Sequence, residues 1–202
     1  MTRVGAGITL LAVVIGFAAS DAQAAPVTFS TTGIFGNTGT NVENFTNGSG
    51  MTTLIFNGAP SALVDTPAGA SFGNIAVIST VPPMTTGPTV GGNFTLNINQ
   101  LSPSGMASLV ATLSGALGFD AGVATLAFAT TSVMINGFTY IVNPVYTIAL
   151  PATRDDGNPP GMTTIQGTVT GGAAVPDSGS TFVLLGAALL GLVFVQHRLQ
   201  TA

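Results

Sequence analysis

The chain has no cysteine, lysine or tryptophan, a single histidine, and charged residues at only 5% of its 202 positions. Each absence closes a line of chemistry. Without cysteine there is no disulfide staple, no thiol nucleophile and no zinc site on sulfur. A domain of this composition must be held by its core alone. The one histidine, His197, lies at the extreme C-terminus beyond an apolar run. The body of the chain therefore has no imidazole to act as a general base near neutral pH. A Ser-His-Asp triad and an imidazole metal site are both excluded there. Residues 25–174 carry five acids, Glu43, Asp65, Asp120, Asp155 and Asp156, against the single base Arg154, a net of −4. Nucleic-acid binding needs a basic surface to neutralise phosphates. No nucleic-acid partner is expected.

With so little charge, solubility must come from Thr, Ser, Asn and Gly. Such a surface has weak electrostatic repulsion and suits self-association or adhesion to neutral polymers. The dense threonines fit the exposed faces of strands, the simpler reading beside the alternative that their hydroxyls carry O-linked sugars.

The two ends read as addresses. Arg3 is a basic n-region, residues 4–19 are an apolar h-region, and Ala22-Gln23-Ala24 is a small-x-small cleavage site. Residues 1–24 are thus expected to be a secretory signal peptide cut after Ala24. At the other end, Val175-Pro176-Asp177-Ser178-Gly179 leads into the apolar run 182–195, then Gln196-His197-Arg198. Those fourteen apolar residues cover roughly 21 Å as a helix, short of the about 30 Å bilayer core. Residues 179–181 and Gln196 extend the run, and His197 and Arg198 form a membrane stop whose side chains snorkel to the interface. Arg198 places that end in the cytoplasm. Residues 173–181 are read as linker and motif, and 182–202 as a transmembrane tail.

This tail closely resembles the sorting domains called PEP-CTERM, in the variant built on a VPDSG motif. The resemblance spans about thirty residues. It departs from the main family in having Pro-Asp-Ser in place of Pro-Glu-Pro, and its basic finish is thin. What the resemblance implies is an exosortase-type processing enzyme as partner, transient anchoring in the inner membrane of a Gram-negative-type bacterium, and delivery to the cell surface or extracellular matrix. Exopolysaccharide is a further partner on that reading.

Between the ends the pattern has a period of two. Phe94, Leu96 and Ile98 alternate with Thr95, Asn97 and Asn99, and Leu109, Ala111 and Leu113 repeat the habit, as does 165–169. Asn136-Gly137 between 132–135 and 138–142 predicts a two-residue hairpin. Further strands are expected over 26–35, 52–57, 73–80, 123–130 and 144–150, with loops over 37–50, 81–92 and 151–161. Gly and Pro interrupt too often for helices. Eight or nine short strands predict an all-β, antiparallel sandwich or jelly-roll-like ectodomain over 25–172. A transmembrane barrel is the competing arrangement, but the chain has two tyrosines and no tryptophan to build aromatic girdles.

Site chemistry is sparse. Asp65 with Asp120 is the conceivable carboxylate pair for a glycosidase, which needs the two groups about 5–9 Å apart. Tyr140 and Tyr146 either form a sugar platform or pack against strands. Arg154-Asp155-Asp156-Gly157-Asn158 either offers oxygens to Ca²⁺ or is a solvated turn. The acceptor patterns at Asn44, Asn47 and Asn93 arise readily by chance in so Ser/Thr-rich a chain. The expectation is an exported, non-catalytic surface or exopolysaccharide-matrix protein without cofactor or metal, with a carbohydrate- or calcium-binding module as the alternative.

Overall fold

Alternation becomes two faces once strands pair, and here it produces two antiparallel sheets. The computed structural model describes residues 25–151 and 161–171, together with Gly186 and Ala188, which are helical. The rest of the expected signal peptide and tail helix lies outside the described residues. Ala24–Val175 forms one compact unit.

The strands are β1 Pro26–Phe35, β2 Val42–Asn47, β3 Gly50–Asn57, β4 Ala62–Asp65, β5 Ala68–Ser79 and β6 Thr89–Ser102. They continue as β7 Ser104–Ala116, β8 Ala124–Phe128, β9 Ser132–Ile135, β10 Phe138–Val142, β11 Val145–Ile148 and β12 Gly161–Gly171. One six-stranded sheet runs β11-β8-β7-β6-β1-β4 and the other β2-β3-β5-β12-β10-β9. Twelve strands among the described residues replace the eight or nine expected.

Two strands, β2 and β4, fall outside every expected strand segment, for physical reasons. β2 falls inside the expected loop 37–50 because its inward position is occupied by Glu43 and not by an apolar residue. β4 buries no residue fully and is held by its ladder to β1, from Pro26↔Asp65 to Phe29↔Ala62. By contrast, Asn136 and Gly137 take φ of 48° and 83°, the paired positive values a tight hairpin turn demands. The expected hairpin of β9 and β10 forms around them.

Side chains from both sheets make one core. Phe94, Leu96 and Ile98 of β6 are fully buried, opposite Leu54, Phe72 and Ile75 of the second sheet. Aromatic rings stitch the layers: Phe29 meets Phe72 at 5.6 Å and Tyr140 edge-on at 5.4 Å, while Phe56 meets Phe94 at 5.2 Å. Gly33 makes room for the last pair, since a Cβ there would lie 2.6 Å from atoms of both rings. Open sheets with apolar side chains turned inward are a sandwich, not the outward-apolar arrangement of a membrane barrel. Three of the four edge strands, β4, β9 and β11, are four residues long. Short edges limit strand-to-strand aggregation in a protein with little charge to prevent it.

Candidate functional site

The chain enters and leaves the sandwich at one pole. β1 begins there at Pro26 and β12 ends there at Gly171. The Thr66 hydroxyl, only 2% exposed, donates to the carbonyls of Ala25 at 2.9 Å and Gly171 at 2.6 Å. The tip of the β6–β7 hairpin and the β9–β10 turn share this pole, joined where Asn136 Nδ2 donates to Ser104 O at 2.8 Å. The residue after the expected cleavage site and the last strand residue before the tail are thus neighbours. Ala22 and Ala24, Val175, Pro176, Asp177, Ser178 and Gly179, and His197 and Arg198 lie outside the described residues.

The opposite pole carries the loops around Met84 and Asp120. Asp120 Oδ1 accepts the Met84 amide at 2.7 Å and so ties the loop before β6 to the loop after β7. Asp65 ends β4 at the entry pole. The two carboxylates are separated by the length of β6, fourteen residues or roughly 45 Å. They do not form a catalytic pair. The 151–161 connection also leaves and returns at the far pole, since Ile148 pairs with Ala124 and Gly161 with Val77. Arg154, Asp155, Asp156 and Asn158 lie outside the described residues.

The tyrosines are packed, which removes the sugar platform. Tyr140 is fully buried, and its hydroxyl donates to Gln100 Oε1 at 2.8 Å. Gln100, itself fully buried, donates from Nε2 to Pro103 O at 2.6 Å and so closes the β6–β7 turn. Burial pushes the Tyr140 phenol up to about 12. Tyr146 is 8% exposed; its hydroxyl donates to Gln166 O and accepts the Asn143 amide at 2.9 Å. Burial also raises its pKa, against the smaller lowering effect of those two backbone bonds. A ring that stacks on a sugar must offer a free face. Neither does.

What the strands present outward is uncharged, with rows of polar residues on the first sheet interrupted by exposed apolar ones such as Met106 and Val110. On the first sheet, Thr32, Asn97 and Ser108 form one cross-strand row and Ser30, Asn99 and Met106 the next. Ser114, Thr125 and Thr147 form a third toward the other edge. Ser108 Oγ donates to Asn97 Oδ1 at 2.7 Å, and Ser114 and Thr125 hydroxyls lie 3.3 Å apart. Across the twelve strands the only charged residues are Asp65 at a corner and Glu43. Glu43 was missed in the sequence as a site: it is 5% exposed and its Oε2 has no hydrogen-bond partner. Nothing in its local pattern marks it as inward. Among the described residues no group of three His, Cys, Asp or Glu could hold a metal, and no helix is long and apolar enough to cross a membrane.

Compared with known families, residues 174–199 match the model described as the VPDSG-CTERM motif, a PEP-CTERM-type sorting signal. That family implies an exosortase as the enzyme acting on the tail. No curated protein and no solved structure matches the chain.

Proposed function

We propose that this chain is an exported, non-catalytic protein of the cell surface or exopolysaccharide matrix, delivered by its C-terminal tail and anchored in the inner membrane only in transit. The observation that carries the reading is the sorting motif at 174–199. The uncharged Thr/Ser/Asn rows of the first sheet support the ligand chemistry. Hydroxyls and amides exchange hydrogen bonds with a hydrated neutral polymer without the cost of stripping water from ions. The separation of Asp65 from Asp120 and the burial of both tyrosines support the non-catalytic part.

The test is the intact mass of the native protein in surface and medium fractions. The expected species starts at Ala25 and ends within the 175–181 segment. A mass that still includes residues 182–202 would mean a permanently anchored protein and would overturn delivery by tail processing.

A further inference from the structure

β2, at six residues, is the longest of the four edge strands. What its free side offers follows from the phase of its bonds. The Phe56 amide donates to Asn41 O at 2.8 Å, and Asn41 stands opposite Phe56 in the register that pairs Val42 with Ile55. Bonded and non-bonded pairs alternate along an antiparallel ladder. Glu43, Phe45 and Asn47 therefore bond to β3, while Val42, Asn44 and Thr46 turn their N–H and C=O outward. Val42 is already taken. Its carbonyl accepts the Thr38 and Thr40 hydroxyls at 2.8 and 2.9 Å, and its amide donates to Thr40 Oγ1 at 3.2 Å. Asn44 and Thr46 remain, and among the described residues no strand pairs with them on that side. Such an edge is a template for another strand.

The edge is complementary to itself. When the β2 of a second copy lies antiparallel, with Phe45 facing the partner's Phe45 on a twofold axis, Asn44 faces the partner's Thr46 and Thr46 faces the partner's Asn44. Both bonded pairs then close at once. Phe45 is half-buried in the single chain, and the partner's ring covers the rest. The same register sets Glu43 opposite the partner's Asn47. Glu43 is 5% exposed and its Oε2 has no hydrogen-bond partner, a costly state for a carboxylate. Asn47 Nδ2 donates to Thr86 O at 3.3 Å and has a second hydrogen to give, so each copy brings a donor to the other's carboxylate. The outward side chains, Asn44 and Thr46, are uncharged and exposed. No like charges meet across the seam, because each Glu43 faces an asparagine and not its own counterpart.

We infer that two copies of this chain pair through their β2 strands about a twofold axis, in the register Phe45 to Phe45. The two copies' second sheets become one continuous sheet, and the longest open edge of the sandwich is closed. The inference uses nothing from the tail, so it and the sorting reading fail separately.

A chain without cysteine allows a direct test. Phe45→Cys is oxidised mildly in the full chain, purified in detergent, beside Ser108→Cys, an exposed position on the outer face of the first sheet, at the same concentration. The expected result is a disulfide-linked dimer forming at least tenfold faster from Phe45→Cys. Adding Asn44→Pro removes an N–H that faces the second copy and none that bonds to β3, a place where an edge strand tolerates proline. It should return the rate to that of the reference. Equal rates for the two single variants would overturn the inference. A fast rate untouched by Asn44→Pro would also overturn it, by showing that the copies meet elsewhere. If Phe45→Cys folds poorly, Asn44→Cys chains are mixed with Thr46→Cys chains. Cross-linking between the two kinds should then outpace cross-linking within either, and no such preference would overturn the register.

Discussion

Tyr140→Phe is the sharpest perturbation of the core, because it deletes one oxygen and nothing else. It removes the 2.8 Å bond to Gln100 Oε1 and leaves that acceptor buried at 0% exposure. An unsatisfied buried acceptor costs about 1–3 kcal/mol. For a domain of this size each kcal/mol moves the midpoint by about 2–4 °C, so a drop of roughly 4–8 °C is expected for a middle value of about 2 kcal/mol. Gln100→Met alone is expected to cost a similar amount, since it strands the phenol and the Pro103 carbonyl. Combining the two removes both partners of the 140–100 bond and leaves only the Pro103 carbonyl without its donor, so the double variant should be less destabilised than the sum by about 1–2 kcal/mol. Thermal melts of the four proteins at pH 7 measure this. Strict additivity would refute the claim that the two side chains form one closed unit.

Burial of the same phenol has a pH signature. The phenol is raised in the folded protein to about 12, while an unfolded tyrosine ionises near 10. The folded state thus holds its proton longer, and the contribution is fully present below pH 10 and lost as pH rises through the folded value. Tyr140→Phe should flatten part of the stability loss between pH 10 and 12, with the share of Tyr146 remaining.

Gly33→Ala places a methyl 2.6 Å from the rings of Phe56 and Phe94; a loss of about 1–3 kcal/mol is expected, partly recovered by adding Phe56→Leu, as read by denaturant midpoints. Glu43→Leu should raise the denaturation midpoint, because it replaces a buried carboxylate whose Oε2 lacks a partner. A fall would show that Glu43 is satisfied in a way the fold does not reveal. Asp120→Ala removes the acceptor for the Met84 amide. Faster hydrogen exchange at Met84 with little change in melting temperature is expected, since both residues are exposed; unchanged exchange would show that the loop is held by other contacts. Asp65→Ala with Asp120→Ala should leave any surface phenotype intact, and its loss would reopen carboxylate catalysis.

The sorting motif and the class of fold were legible in the residues, because both rest on local pattern. Alternation at Phe94-Thr95-Leu96-Asn97-Ile98 needs no partner to declare a half-buried strand. Asn136-Gly137 declares its turn from backbone preference alone. The tail declares itself by motif and position. Tertiary structure decided which strands meet. The Thr66 hydroxyl joins Ala25 to Gly171, 105 residues from Thr66 in the chain, and no local signal anticipates that. The same holds for Gln100, polar by composition yet fully buried because Tyr140 and Pro103 complete its bonds. It holds too for the two tyrosines, whose amphipathic rings suit a surface site until packing covers them. Side-chain type and spacing set which face a residue takes, but burial of a polar group is settled only by the partners that long-range pairing brings to it.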